Sequence, residues 1–94
     1  MGVSSYLYTA WFRDTTMPPD DPDYEWPACF VIEARSSENA RSWGDVLSRS
    51  FSARRVIPVF LHSLIEKLNI AAGDTPKLPR VRAGEWVSDE EIGW

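Results

Sequence analysis

Residues 56–68 read Val56-Ile57-Pro58-Val59-Phe60-Leu61-His62-Ser63-Leu64-Ile65-Glu66-Lys67-Leu68, and the structure assigned to them decides the fold. Ile57, Leu61, Leu64, Ile65 and Leu68 recur at helical spacing, and Pro58 suits a first turn, where its missing N–H is not needed. The spacing predicts a helix over about 58–69. Val56 to Phe60 alone also fits a short strand, which leaves a second architecture open.

Upstream, Ser36 or Ser37 is placed to cap a helix, and Glu38 suits its positive end. Ala40, Trp43, Gly44, Leu47 and Phe51 then follow as one apolar stripe, with Arg41, Asp45, Ser48 and Arg49 assigned to the wetter side. Gly44 within a helix costs about 1 kcal/mol relative to Ala, which a close approach to a sheet beside Trp43 explains. Before this helix, Pro27 to Arg35 alternates as a strand, with Phe30, Ile32 and Ala34 on one side and Cys29, Val31 and Glu33 on the other. Residues 3–13 alternate likewise: Tyr6, Tyr8, Ala10 and Phe12 oppose Leu7, Thr9, Trp11 and Arg13. Both sides hold large apolar groups, so one is expected to be core and the other covered by a partner or a loop. Residues 14–26, with Pro18, Pro19, Pro22 and four Asp, form an exposed acidic loop joining the two strands.

Downstream, residues 70–79 read as a loop. Arg80 to Val87 reads as a third strand interrupted by Gly84, and residues 85–94 as an acidic tail in which Ser88 and Glu91 have capping-box spacing. The expected fold is a single α+β domain over 1–94, ordered β-β-α-α-β. It has a three-stranded, mainly antiparallel sheet and two helices on one face. The alternative is a ferredoxin-like arrangement with an added strand at 56–60.

Ninety-four residues leave room for one core, and 44% hydrophobic with 26% charged residues is ordinary for a globular chain. The net charge of −4 is unevenly spread. Residues 14–25 sum to −5 and residues 85–94 to −4, while residues 35–82 carry nine basic and four acidic side chains, a sum of +5. Five Trp are a large stock for this length. Met1 to Tyr8 lacks the basic and apolar regions of a signal peptide, and no apolar run approaches the ~20 residues of a spanning helix. The expectation is a cytoplasmic, non-membrane protein.

Chemistry-bearing groups are few. His62 is the only histidine and Cys29 the only cysteine, so multi-histidine, Cys-rich zinc and disulfide arrangements are excluded within one chain. His62 reads as a packing or surface residue, and Cys29 as a small buried hydrophobe. Asp21, Asp23 and Glu25 alternate like the first ligands of a calcium loop. Trp26 stands where the turn glycine belongs and Ile32 where the bidentate Glu belongs, so the match fails. The five glycines have neither dinucleotide nor P-loop spacing. No cofactor or metal is expected.

These features point to a non-enzymatic protein-interaction or regulatory module of immunity, adaptor or inhibitor type. Its partner would be a protein, a second copy of the chain included. The expected contact residues are Asp20, Asp21, Asp23, Tyr24, Glu25 and Trp26 in the loop, with Trp86 and Trp94 in the tail. A second reading is a small-ligand or enzymatic domain with an aromatic pocket lined by Tyr6, Tyr8, Trp11 and Phe30. A third, nucleic-acid binding through Arg49 to Arg55, is disfavoured by a sequence pI near 4.8.

Overall fold

A computed structural model describes residues 2–22, 24–54, 58–69, 73, 77–88 and 90–92. Strand β1 spans Ser4–Arg13, β2 Glu25–Ala34, helix α1 Ser37–Arg54, β3 Val59–Lys67 and β4 Arg80–Arg82. They form one four-stranded mixed sheet in the order β3-β1-β2-β4. β1 is antiparallel to β2 and to β3, whereas β4 runs parallel to β2. The first strand in sequence is thus inserted between β2 and β3, the two strands that α1 connects.

The expected second helix at 58–69 is instead β3, so neither the two-helix layout nor the ferredoxin-like alternative holds. Among the described residues α1 is the only helix. The helical spacing has a physical origin. β3 places apolar groups on both of its faces, Ile65 against the core and Leu64 in solvent. A register shift opposite Trp11 and Phe12 leaves Leu61 without a partner position in β1, which breaks the two-residue period. Two apolar faces and one bulge together imitate a 3.6-residue repeat. Only Val59 and Phe60 of the alternative strand at 56–60 are in β3, and residues 55–57 lie outside the described set. The third predicted strand is also shorter than expected, ending at Arg82.

β1 and β2 pair in full register from Ser4↔Ala34 to Arg13↔Glu25, and their alternation sorts residues as the sequence implied. Tyr6, Tyr8, Ala10 and Phe12 join Phe30, Ile32 and Ala34 in the core, with Ala40, Leu47 and Phe51 of α1 packed over them. β2 begins two residues earlier than expected, so Glu25 and Trp26 are strand residues. Ser36 caps α1, its Oγ accepting the Asn39 N–H at 3.1 Å.

Gly44 is buried where α1 crosses β1. A Cβ at this position would lie 2.4 Å from the Tyr8 ring, so glycine is what allows the helix backbone to rest on the aromatic face. The close approach of helix to sheet expected at Gly44 is made to the Tyr8 ring of β1. Ser48, assigned to the wetter side, is fully buried against the same tyrosine, and Asp45 is half-buried.

α1 packs most heavily against β3. On the β2–β4 side the core is closed by the chain after β4. Gly84 turns with a φ of 93°, the left-handed region that glycine adopts without penalty. Ala83 and Val87 then pack on the core and Ile92 is buried in it. Ser88 and Glu91 form the expected reciprocal cap: the Ser88 N–H donates to Glu91 Oε2 and the Glu91 N–H to Ser88 Oγ, both at 3.1 Å. Among the described residues of the acidic tail, Val87 and Ile92 are therefore structural.

Candidate functional site

Between helix and sheet lies a polar network. The Tyr8 hydroxyl donates to Asp45 Oδ1 at 2.8 Å and meets Ser48 Oγ at 2.9 Å. Its single proton is committed to Asp45, so Ser48 donates to the phenol oxygen. Ser63 donates to the same Asp45 oxygen, and Arg41 Nε donates to Ser63 Oγ at 3.1 Å. Burial, before anything else, pushes the Tyr8 phenol well above the usual tyrosine range; the bond to Asp45 and its charge add to this, and the Ser48 bond opposes it. The Tyr8 side chain has no exposed surface, so this network fastens helix to sheet. Tyr6 and Phe30 are buried with it while Trp11 projects to the other side, so the four residues of the expected aromatic pocket do not line one cavity.

The opposite face of the sheet has no helix over it. The register sets its rows: Val59, Arg13 and Glu25; then His62, Trp11 and Pro27; then Leu64, Thr9 and Cys29; then Glu66, Leu7, Val31 and Arg80. Leu64 is 58% exposed and Val59 40%, both large apolar groups in open solvent. Trp11 stacks on His62 with ring centroids 6.2 Å apart and planes at 19°. Cys29 is half-buried here, its Sγ 3.4 Å from Thr9 Oγ1, and is not the fully buried small hydrophobe expected from the sequence. Val31 is fully buried, and its N–H donates to the Pro79 carbonyl at 2.9 Å. Arg13 and Glu25 pair at 2.8 Å across one end of the face.

Both edges of the sheet are guarded against another strand. Ser52 Oγ accepts the Phe60 N–H at 3.1 Å, and Arg41 Nη2 donates to the Ser63 carbonyl at 3.0 Å, so α1 occupies backbone groups of β3. β4 at the other edge has only three residues, two of them arginine. Short, charged or covered edges resist strand addition. What remains available is the open face.

The residues expected to bind a partner fall into two groups. Asp20 is exposed in the β1–β2 loop, which consecutive turns hold in shape; Asp21 N–H donates to the Pro18 carbonyl at 2.9 Å and Tyr24 N–H to the Asp21 carbonyl at 3.0 Å. Glu25 is engaged by Arg13, whose guanidinium also lies 5.3 Å from the Tyr24 ring centre. Trp26 is half-buried, its ring centre 6.1 Å from that of Phe12. Trp86 is 64% exposed and stands edge-on to Trp43, whose indole N–H donates to the Glu85 carbonyl at 3.0 Å. Asp23 and Trp94 lie outside the described residues.

The two groups are not neighbours. The Glu85 N–H bonds to the Arg82 carbonyl and Arg82 pairs with Glu33, eight positions along β2 from Glu25. Eight strand residues span roughly 26 Å. The acidic loop and Trp86 therefore occupy opposite ends of the sheet. Sequence reasoning missed His62, Leu64 and Val59, because a helical reading of 58–69 put them on the wrong element; the apolar residues on both sides of β1 were the available signal.

Arginines are likewise dispersed. Arg49 lies over the Phe60 ring and Arg54 over Phe51, while Arg80 and Arg82 are on β4; Arg55 is outside the described residues. A cleft of about 640 Å³ opens between Val3, Glu33, Ala34, Arg35, Asn39, Arg82 and Ala83 at the start of α1. The Asn39 and Ala40 amides beside it already donate to Ser36. Among the described residues, no three His, Cys, Asp or Glu side chains are placed to hold a metal, and no helix is long and apolar enough to cross a membrane. No protein-family model, curated protein or solved structure matches the chain.

Proposed function

We propose that this chain is a non-enzymatic protein-interaction module that docks through the open face of its sheet. The observation that supports this reading is the exposure of Leu64 and Val59 beside the Trp11–His62 stack, on the face of the sheet opposite α1. Exposed apolar groups gathered around an aromatic are a common feature of contact surfaces, where Trp is enriched. The acidic loop, with Asp20 exposed at one end of the sheet, then serves to steer a partner and not to anchor it.

Affinity capture of partners with two variants tests the assignment. Leu64→Glu is expected to lose the partner, while Asp20→Lys/Asp21→Lys keeps it with slower association. Loss only in the loop variant would return the docking site to the acidic loop, and capture unchanged by Leu64→Glu would sink the sheet-face reading.

A further inference from the structure

The outer face is not uniformly open. Val31 in its fourth row is fully buried, while Leu64 and Val59 are 58% and 40% exposed and His62 between them is exposed too. The accessible apolar surface is therefore a strip along β3 in the order Val59, His62, Leu64, Glu66, with Trp11 of β1 stacked beside it. Carboxylates stand at both ends of this strip. Val59 pairs with Arg13, the last residue of β1, and beyond it the β1–β2 loop holds four Asp and no Lys or Arg over residues 14–24. Beyond Leu64 comes Glu66, exposed on the same face.

The nearby cations are matched or lie elsewhere. Arg13 is bonded to Glu25 at 2.8 Å. Arg49 and Arg54 lie over the Phe60 and Phe51 rings on the helix side, and Lys67 pairs with the inward Tyr6. Arg80 and Arg82 share the outer face but belong to β4, where Arg82 stands in register with Glu33. Three strand spacings, roughly 14 Å, separate β4 from β3. Exposed charges that far apart are largely screened at physiological salt, where the Debye length is about 8 Å.

Resting on the sheet-face reading, we infer that the occupant of this strip is a basic polypeptide segment in which apolar side chains are flanked by lysine or arginine. Its apolar residues cover Leu64, Val59 and the Trp11–His62 stack, and its cations face the loop at one end and Glu66 at the other. The segment lies across side chains and adds no strand, because Ser52 and Arg41 of α1 already occupy backbone groups of β3. The same carboxylates repel nucleic acid and anionic membrane, so the surface fits a protein cation and not a phosphate.

Calorimetric titration with two synthetic amphipathic helical peptides of equal length, one of Leu and Lys and one of Leu and Glu, tests the charge of the occupant. The chains titrated are wild type, Leu64→Lys and Leu64→Glu; Leu64 is exposed, so both variants should keep the fold, as circular dichroism can verify. The Leu/Lys peptide is expected to bind wild type roughly tenfold or more tighter than its Leu/Glu counterpart, with an advantage that shrinks as salt is added. Both substitutions remove the leucine, but Leu64→Lys should weaken the Leu/Lys complex roughly tenfold more than Leu64→Glu, since only it sets like charges together. Equal losses from the two, or a Leu/Glu peptide that binds as well, overturn the basic occupant and leave the sheet-face reading standing. Failure of both peptides to bind at about 1 mM does the same. Leu/Lys binding that neither substitution weakens is charge attraction away from the strip and also overturns the inference. The sheet-face reading itself falls only if capture of partners survives Leu64→Glu.

Discussion

The two faces of β1 alternate residue by residue, yet they obey different rules. Tyr6, Tyr8, Ala10 and Phe12 meet the helix in a closed layer where shape and hydrogen bonds are both satisfied. Leu7, Thr9, Trp11 and Arg13 face outward among mixed neighbours: a half-buried cysteine, a stacked histidine, an ion pair and an exposed leucine. On the first face a change of one methyl group should be felt, because the interior is packed to crystal-like density. On the second, a whole side chain should be replaceable at little expense to the fold. That contrast separates residues kept for stability from residues available for contact.

The sharpest way to break the contrast is at Gly44. Gly44→Ala brings a better helix former, worth up to about 1 kcal/mol, but its Cβ would fall 2.4 Å from the buried Tyr8 ring. Overpacking of this kind costs about 1–3 kcal/mol, so denaturant unfolding should show a net loss. A stabilised Gly44→Ala would mean that the helix stands farther from the sheet than described.

Tyr8→Phe should cost less, about 1–2 kcal/mol, since it removes one hydroxyl from a network that leaves Asp45 and Ser48 half-served. The loss should also depend on pH with a defined sign. The folded phenol is held above its ordinary range, so its contribution is intact below the unfolded value near pH 10. It then falls as pH rises, because only the unfolded chain releases the proton, by up to about 1.4 kcal/mol per pH unit. The gap between wild type and Tyr8→Phe should therefore narrow above about pH 10 in unfolding measurements. A gap that stays constant would place Tyr8 in contact with water.

The smallest effect is expected at Leu64. In a sample dilute enough to be monomeric, Leu64→Thr should change unfolding free energy by no more than about 0.5 kcal/mol, as usual for an exposed position. A larger loss would mean that the outer face is covered within the monomer.

Much of this organisation was legible in the sequence, and the part that was not has an identifiable cause. β1 and α1 carry clean periods because each buries a single set of residues, and β2 departs from this only at Val31, so the apolar stripe of α1 and the inward side of both strands could be read directly. The capping box at Ser88 and Glu91 was legible for the same local reason. β3 was misread because Leu64 faces solvent while Ile65 faces the core, and because the bulge at Leu61 shifts the phase. Ser48 was misplaced because a serine that binds a buried tyrosine looks, in sequence, like a serine that binds water. The open face was visible only as a surplus of apolar groups in β1, since its members come from strands whose pairing no local pattern specifies. The dispersal of the acidic loop and Trp86 to opposite ends has the same origin: charge sums along a chain say nothing of where a parallel edge strand ends.

The insertion of β1 between β2 and β3 bears on how the chain is born. β1 and β2 can form a hairpin as soon as Ala34 is made, but the aromatic side of that hairpin has no cover until α1 and β3 follow. The 33 residues from Arg35 to Lys67 take roughly 2–7 s at the usual 5–20 residues per second of synthesis. Through that interval Tyr6, Tyr8, Phe12 and Phe30 face solvent on an unclosed two-stranded ribbon. The bare hairpin is marginal by itself, so the nascent chain is most open to misassembly in this interval. The strand that comes first in sequence gains its second neighbour only with β3, and β2 waits longer still, for β4.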